Sequence, residues 1–399
     1  VEKERYNNVE HGKTGTADSR LRPDYKRSIV NLAASLAQAL GGEDRGYAPL
    51  DQLPRSDLAG RPVILLIIDG LGDNFLQSYP ESFLGRHRRT RITSVFPPTT
   101  ATAVTSFFTG VAPRQHAITG WHTYFRELGA VITILPFMPR FGGSPVSGAG
   151  IFPDSLIALP SLLDTLDIRS HVILPHFLMD SDYSRMLSGS ALRHGYQNLP
   201  EMFHCLQDLA ERQRGSLLIA YWPELDSLAH SRGIWSPESA AHFLDLDRHC
   251  RDFLAPLVEK GAAVIVSSDH GLIDTSEESV IHLEEHPELA SLLTLPLCGE
   301  PRCAYCYVRS GEELAFEQYI MERLKHVCTL RKSSQLIEDG YFGTGSTSPK
   351  LVERTGEYTL LMKENFIIRD RLLNEKGHRH RGVHGGLTAD ELYVPLIVL

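Results

Sequence analysis

Several stretches of the chain are apolar without interruption and stop abruptly at a turn residue or a charge. Val63 to Ile68 is a run of six that meets Asp69 and then Gly-Leu-Gly72. Leu217 to Trp222 ends at Pro223, Ala262 to Val266 runs into Ser-Ser-Asp269-His270-Gly271, and Leu392 to Leu399 is the last such stretch. Apolar runs of this length, closed by turn residues, read as strands buried on both faces, as in the middle of a parallel sheet. Ser170 to Leu174 predicts a further short strand, and Arg91 to Phe96 another, followed by a Pro97-Pro98 turn and a helix from about Ala101 to Gly110. Helical spacing appears in Ser28 to Leu40 (Ile29, Leu32, Ala33, Leu36, Leu40), closed by Gly41-Gly42. It recurs in Pro237 to Lys260, through Phe243, Leu246, Cys250, Phe253, Leu254 and Leu257. The pattern predicts an α/β fold with a mostly parallel central sheet flanked by helices.

Two regions break this rhythm. Residues 122–155 alternate apolar runs with Gly and Pro, which predicts a hairpin excursion over one edge of the sheet. Residues 282–375 mix short helical and strand patterns around a Gly-rich loop, Gly340 to Gly345, and predict an inserted α+β cap subdomain. The expected organisation is an N-terminal segment and helix (1–57), a metal-binding core (58–281 with 376–399) and the cap (282–375). Residues 1–26 are expected to be loosely attached.

Length fits a large core with an insertion, since 399 residues exceed one compact hydrophobic core. A net charge of −9 argues against stable binding to nucleic acid or an anionic membrane. No apolar run approaches the roughly 20 residues of a membrane-spanning helix. The first 25 residues are polar and charged, without a secretory apolar stretch. Six cysteines spread through the chain do not form a disulfide framework, so a reducing cytoplasm is expected. Cys303 and Cys306 have C-x-x-C spacing, but no second pair answers them, and the surrounding β-formers read as a strand.

The chemistry gathers at the ends of the buried runs. Asp69, Thr99 or Thr100, Asp226 with His230, Asp269 with His270, and His384 each stand just past an apolar stretch or at a predicted helix start. Singly, each has an ordinary explanation as a cap or turn residue. Together they would bury several charges with no partner, unless cations meet them. Mixed Asp and His sets suit a pair of divalent ions, zinc first and manganese as the alternative. Asp226 and His230, four apart, share one face of a helical turn. The threonines stand where the N–H groups of a helix start make an anion site.

The ordered motifs Ile-Ile-Asp69-Gly-Leu-Gly, Phe-Pro-Pro-Thr-Thr100 with Thr109-Gly110, Asp226-x-x-x-His230, Ser-Asp269-His270-Gly and His384-Gly-Gly resemble the alkaline phosphatase superfamily. Within it they are most similar to the type I phosphodiesterase/nucleotide pyrophosphatase family. The resemblance covers roughly residues 60–275 and 377–399. It implies two zinc ions, one held by Asp226, His230 and His384, the other by Asp69, Asp269, His270 and the nucleophile hydroxyl. The family spacing to Thr109 selects Thr100 over Thr99 as that nucleophile. The implied reaction is hydrolysis of a phosphodiester or pyrophosphate bond in a small phosphate-ester or nucleotide-like substrate, through a phospho-threonine. The alternatives are a phosphomonoesterase, phosphonate hydrolase or phosphomutase of the same superfamily, or an inactive relative that binds a phosphorylated ligand. Trp121 falls where the family carries a phosphate-binding asparagine, so Trp121 and His122 are the candidate substrate contacts. His378 and His380 read first as a solvated loop, with an extension of the metal site as the alternative, Asp73 as a helix cap, and His282 and His286 as surface residues. The sulfatase signature Cys-x-Pro-x-Arg is absent, because Cys298-Gly-Glu-Pro-Arg302 has the wrong spacing.

Overall fold

The structure is a computed structural model that describes residues 21–213, 215–373, 375 and 380–399. Its centre is a seven-stranded sheet of β1 (Val63–Ile68), β2 (Arg88–Thr93), β3 (Ser170–Pro175), β4 (Leu192–Tyr196), β5 (Leu217–Trp222), β6 (Ala263–Ser267) and β7 (Tyr393–Val398). The spatial order is β2-β7-β6-β1-β5-β3-β4. β1 lies between β5 and β6 and runs parallel to both. β3 is parallel to β5 and β4, while β7 is antiparallel to β6 and β2.

The uninterrupted apolar run of β1 has its physical reason in this placement. Val63, Leu65 and Ile67 point into one hydrophobic cluster and Ile64, Leu66 and Ile68 into the other. The first cluster is covered by the helices Ile29–Ala39 and Thr100–Thr109, the second by Leu199–Arg212 and Pro237–Glu259. With water excluded from both faces, no position of the strand can be polar.

The register does the rest. Ile68 pairs with Trp222, and Ile67 with Tyr221 and Ser267. Three parallel strands in step therefore release their chains at the same edge of the sheet, where open α/β sheets place their ligands.

A second sheet is wholly antiparallel. Its order is Cys328–Lys332, Tyr358–Met362, Cys303–Cys306, Cys298–Glu300, His122–Phe125, Ala130–Thr133 and Met138–Pro139. The hairpin of residues 122–133 thus joins the strands of residues 298–362 instead of crossing an edge of the central sheet. The seam is the pair Gly299 and His122. It requires close backbone approach: a Cβ on Gly120 would stand 2.6 Å from the Gly299 Cα. Cys303 and Cys306 lie in a buried strand and all six cysteines are free thiols.

A fully buried ion pair seats this sheet on the core. Arg302 donates from Nε to Glu391 Oε1 at 3.0 Å and from Nη2 to Oε2 at 2.9 Å, and from Nη1 to Phe366 O at 2.6 Å. Glu391 also accepts from Gly386 N and Thr388 Oγ1, both at 2.7 Å, so the loop after His384 is tied to the same carboxylate.

Some local expectations change. The strand expected to reach Phe96 ends at Thr93, with the Ser94 N–H making a last bond toward the neighbouring strand at Leu392 O, 2.8 Å. Asp73 does not cap a helix. Gly72 holds that position, and Asp73 is buried in a two-pronged pair with Arg88 at 2.6 and 2.9 Å. Of the N-terminal 26 residues, 1–20 lie outside the described residues, while Tyr25 is buried and donates to Tyr341 O at 2.8 Å. Among the described residues no helix is long and apolar enough to cross a membrane.

Removing one partner of a buried pair strands the other charge. Arg302→Met should cost about 3–5 kcal/mol of stability in denaturant titration, and Arg302→Met with Glu391→Leu should recover much of it. A single-variant loss below about 1 kcal/mol would contradict the seating role.

Candidate metal centre

Each ligand-type side chain reaches the common edge by its own device. Asp69 follows β1 directly, and its N–H continues the ladder to Trp222 O at 2.9 Å. β5 ends at Pro223, which starts the helix Glu224–Arg232 and sets Asp226 and His230 on one turn. β6 delivers Asp269 and His270. The glycine after them is needed for close approach, since a Cβ on Gly271 would lie 1.9 Å from Asp390 O. His384 arrives on the loop tied to Glu391.

The side chains meet as two trios, Asp226/His230/His384 and Asp69/Asp269/His270, within each of which ligand atoms lie within 4.8 Å of one another. His230 Nε2 is 3.2 Å from Asp226 Oδ2, and His270 Nε2 is 3.3 Å from Asp69 Oδ1 and 3.6 Å from Asp269 Oδ2. The trios adjoin, with the His270 and His384 rings stacked 3.9 Å apart. Thr100 begins the helix Thr100–Thr109, with Thr99 at the cap position. Its Oγ1 is 3.1 Å from His270 Nε2. The hydroxyl therefore stands on the Asp69 side, and the helix N–H groups open toward it.

The electrostatics ask for cations. Burial raises the Asp69 carboxyl well above the usual carboxylate range, and the Asp269 and Asp226 charges push it further. Burial lowers His384 well below the usual imidazole value, with His270 adding to it. Burial also disfavours a charged His230, but the Asp226 carboxylate overrides it and holds that ring up to about 9. Asp69 Oδ1, Asp226 Oδ1, Asp269 Oδ2 and His384 Nδ1 are buried without a hydrogen-bond partner. His230 and His270 turn Nδ1 to backbone oxygens, Gly382 O at 2.7 Å and Gly271 O at 3.1 Å. That leaves Nε2 of each ring facing the carboxylates, the orientation a metal ligand needs. The residues present fit a pair of divalent ions.

The profile of the type I phosphodiesterase/nucleotide pyrophosphatase family matches residues 63–146 and 153–387, which takes in both trios and Thr100. The chain belongs to this family. Membership supports a phosphoric-ester hydrolase of the phosphodiesterase/pyrophosphatase type. The fold is also that of solved relatives. Murine ectonucleotide pyrophosphatase/phosphodiesterase 5 aligns at 16% identity over 84% of this chain and 87% of its own, with a TM-score of 0.65. An inactive threonine-to-alanine form of that murine protein, in complex with AMP, aligns at a TM-score of 0.62, with 16% identity and the same two coverages. Phosphonoacetate hydrolase from Sinorhizobium meliloti, in complex with phosphonoformate, aligns at 17% identity over 85% and 90% of the two chains, with a TM-score of 0.62. No curated protein sequence is significantly similar to the chain.

This family member opens its ligand edge into a cleft of about 2470 Å³ between the core and the second sheet. Trp121 and His122 line it beside Asp69, Thr100, Asp226, His230 and His384. His122 is held by Thr133 Oγ1 at 3.2 Å, and burial followed by the Arg140 charge pushes its ring down to about 3. It faces the cleft as a neutral imidazole.

Sequence reasoning missed two neighbours of the site, Tyr221 and Glu300, and ranked a metal-site role for a third, His380, below a solvated loop. Tyr221, the penultimate residue of β5, donates its hydroxyl to Asp69 Oδ2. His380 leaves the expected solvated loop and stands 3.1 Å from His230, Nδ1 to Nδ1, because the chain at Arg381 hydrogen-bonds to His230 O. Glu300 is buried on the second sheet, accepting from Thr99 Oγ1 at 2.6 Å and Trp121 N at 2.7 Å. Burial pushes its carboxyl up to about 7. No local signal marked Glu300, because Gly299 and Pro301 on either side of it read as a turn. His378 lies outside the described residues. His282 is exposed at the cleft, and His286 bonds the Tyr319 hydroxyl at 2.9 Å.

Protein loaded with zinc should carry two ions per chain by elemental analysis. His230→Ala should hold one, and chelation should lower the unfolding temperature, since ions bound only by the folded state stabilise it by about 2.7 kcal/mol at a hundredfold excess over Kd. Zinc content unchanged by the substitution would remove His230 from the ligand set.

Proposed function

We propose that the protein is a two-metal hydrolase that cleaves a phosphodiester or pyrophosphate bond through a covalent phospho-Thr100. The carrying observation is one hydroxyl at a helix N-terminus, 3.1 Å from His270 Nε2 of one of two adjoining carboxylate–imidazole trios. Zinc is the proposed metal, since each trio mixes oxygen and nitrogen donors. Asp226, His230 and His384 would hold one ion, and Asp69, Asp269, His270 and the Thr100 oxygen the other. When bound, such ions lower the pKa of a coordinated hydroxyl or water and offset charge on the transferring phosphoryl group.

The chain's own groups then account for the chemistry. Thr100 Oγ1 forms a bond to phosphorus as the bond to the leaving oxygen breaks. The N–H groups of the Thr100–Thr109 helix start bind the equatorial oxygens as charge builds on them. The leaving group departs as an alcohol or a phosphate. Water then attacks the phospho-threonine, breaks the P–Oγ1 bond and restores the hydroxyl. At about 2470 Å³, the cleft is larger than the ~300–1,000 Å³ typical of small-ligand pockets, so a bulky, nucleotide-like leaving group fits.

The test separates nucleophile from metal. Thr100→Ala should lose at least about a thousandfold in kcat on bis-p-nitrophenyl phosphate while still binding two zinc ions. Activity within tenfold of the parent would sink the phospho-threonine assignment. A parent enzyme that prefers p-nitrophenyl phosphate or phosphonoacetate would move the function to a monoesterase or a phosphonate hydrolase.

A further inference from the structure

One charged group in the cleft has no part in the reaction as proposed. Glu300 lies on the strand Cys298–Glu300, is only 7% exposed, and lines the cleft with Thr100, Asp226, His230 and His384. Its position is fixed by two donors from two different elements. Thr99 Oγ1, on the nucleophile's helix cap, donates to Oε1 at 2.6 Å. The Trp121 N–H, at the start of the second-sheet hairpin, donates to the same oxygen at 2.7 Å. Thr99 immediately precedes Thr100, and adjacent α-carbons are about 3.8 Å apart. Glu300 and Thr100 line the same cleft, and the Glu300 charge reaches His230 of the adjoining trio, so a phosphoryl group on Thr100 Oγ1 shares the cleft with this carboxyl.

Two consequences follow. The Thr99 hydroxyl and the Trp121 amide, which could otherwise bind phosphate oxygens, already serve Glu300. When ionised, the carboxyl adds negative charge to the cleft wall and makes a doubly charged group less favourable there than a singly charged one. Arg140 lines the same cleft but does not offset this. It is committed to Asp370 at 2.6 Å and Glu375 at 2.8 Å. The phosphorus of a diester, or an internal phosphorus of a pyrophosphate, carries one negative charge. That of a monoester at neutral pH carries nearly two, and that of inorganic phosphate about one and a half.

Building on the hydrolase reading above, we infer that Glu300 is a specificity-determining residue that admits singly charged phosphorus and disfavours doubly charged phosphorus at Thr100. The same charge speeds release of the product, because cleaving a diester leaves a monoester that Glu300 repels.

Glu300→Gln keeps an oxygen to accept from Thr99 and Trp121 and removes only the charge. In zinc-loaded protein it should lower the ratio of kcat/KM for bis-p-nitrophenyl phosphate over p-nitrophenyl phosphate at least tenfold. It should also tighten competitive inhibition by inorganic phosphate at least tenfold. Glu300→Asp, which keeps the charge, should hold the ratio within about threefold of the parent. A ratio and a phosphate inhibition constant both unchanged in folded, two-zinc Glu300→Gln would overturn the assignment. The parent protein gives a reading that needs no variant. By calorimetry, the monoanion of methylphosphonate monomethyl ester should bind at least tenfold tighter than the methylphosphonate dianion, and the reverse order overturns the inference. That binding is measured without turnover. A parent that shows the preference but cleaves neither ester would refute the hydrolase reading and leave the role of Glu300 standing.

Discussion

Three carboxylates buried in one place are the constraint around which this molecule is built. Asp69, Asp226 and Asp269 come together where water is largely excluded, and each charge raises the cost of the others. Three imidazoles stand among them, but they compensate only in part, since burial keeps His384 from carrying charge. An arrangement of this kind is stable when cations enter it, and its unpartnered oxygens and nitrogen face inward to receive them. The parallel sheet makes the arrangement possible. β1, β5 and β6 are paired in step, so chain exits separated by some two hundred residues open onto one edge.

The second sheet turns that edge into a cleft. Its seat on the core is the buried Arg302–Glu391 pair, which also anchors the loop carrying His384. Two residues before Arg302 the same segment presents Glu300 to Thr99 and Trp121. One short stretch, Glu300-Pro-Arg302, thus carries both the pairing that seats the second sheet and a carboxyl that lines the cleft.

What could be read from the sequence follows from this construction. β1, β5 and β6 were legible because burial on both faces leaves an unbroken apolar signature. The ligand-type residues were legible because each stands at the polar end of such a run, or on a helix directly after it. The structure gathers six of them in two trios and sets the Thr100 hydroxyl 3.1 Å from His270 Nε2. Glu300 was hidden. Its strand is three residues long, Glu300 itself stands between Gly299 and Pro301, which read as a turn, and its partner Thr99 is 201 positions away. Pairing between residues 122–133 and 298–362 left no local trace either, because antiparallel partners distant in sequence share no periodicity. Asp73 shows the opposite failure. Its surroundings look like a helix start, and its tertiary bond to Arg88 overrides that local preference.

The central claim is that the two trios are metal sites, with Thr100 at one of them. Anomalous diffraction at the zinc absorption edge from crystals of the zinc-loaded protein tests it most directly. The account predicts two peaks, one enclosed by Asp226, His230 and His384, the other by Asp69, Asp269, His270 and the Thr100 hydroxyl. No peak at either trio, or zinc bound only elsewhere on the chain, would contradict it.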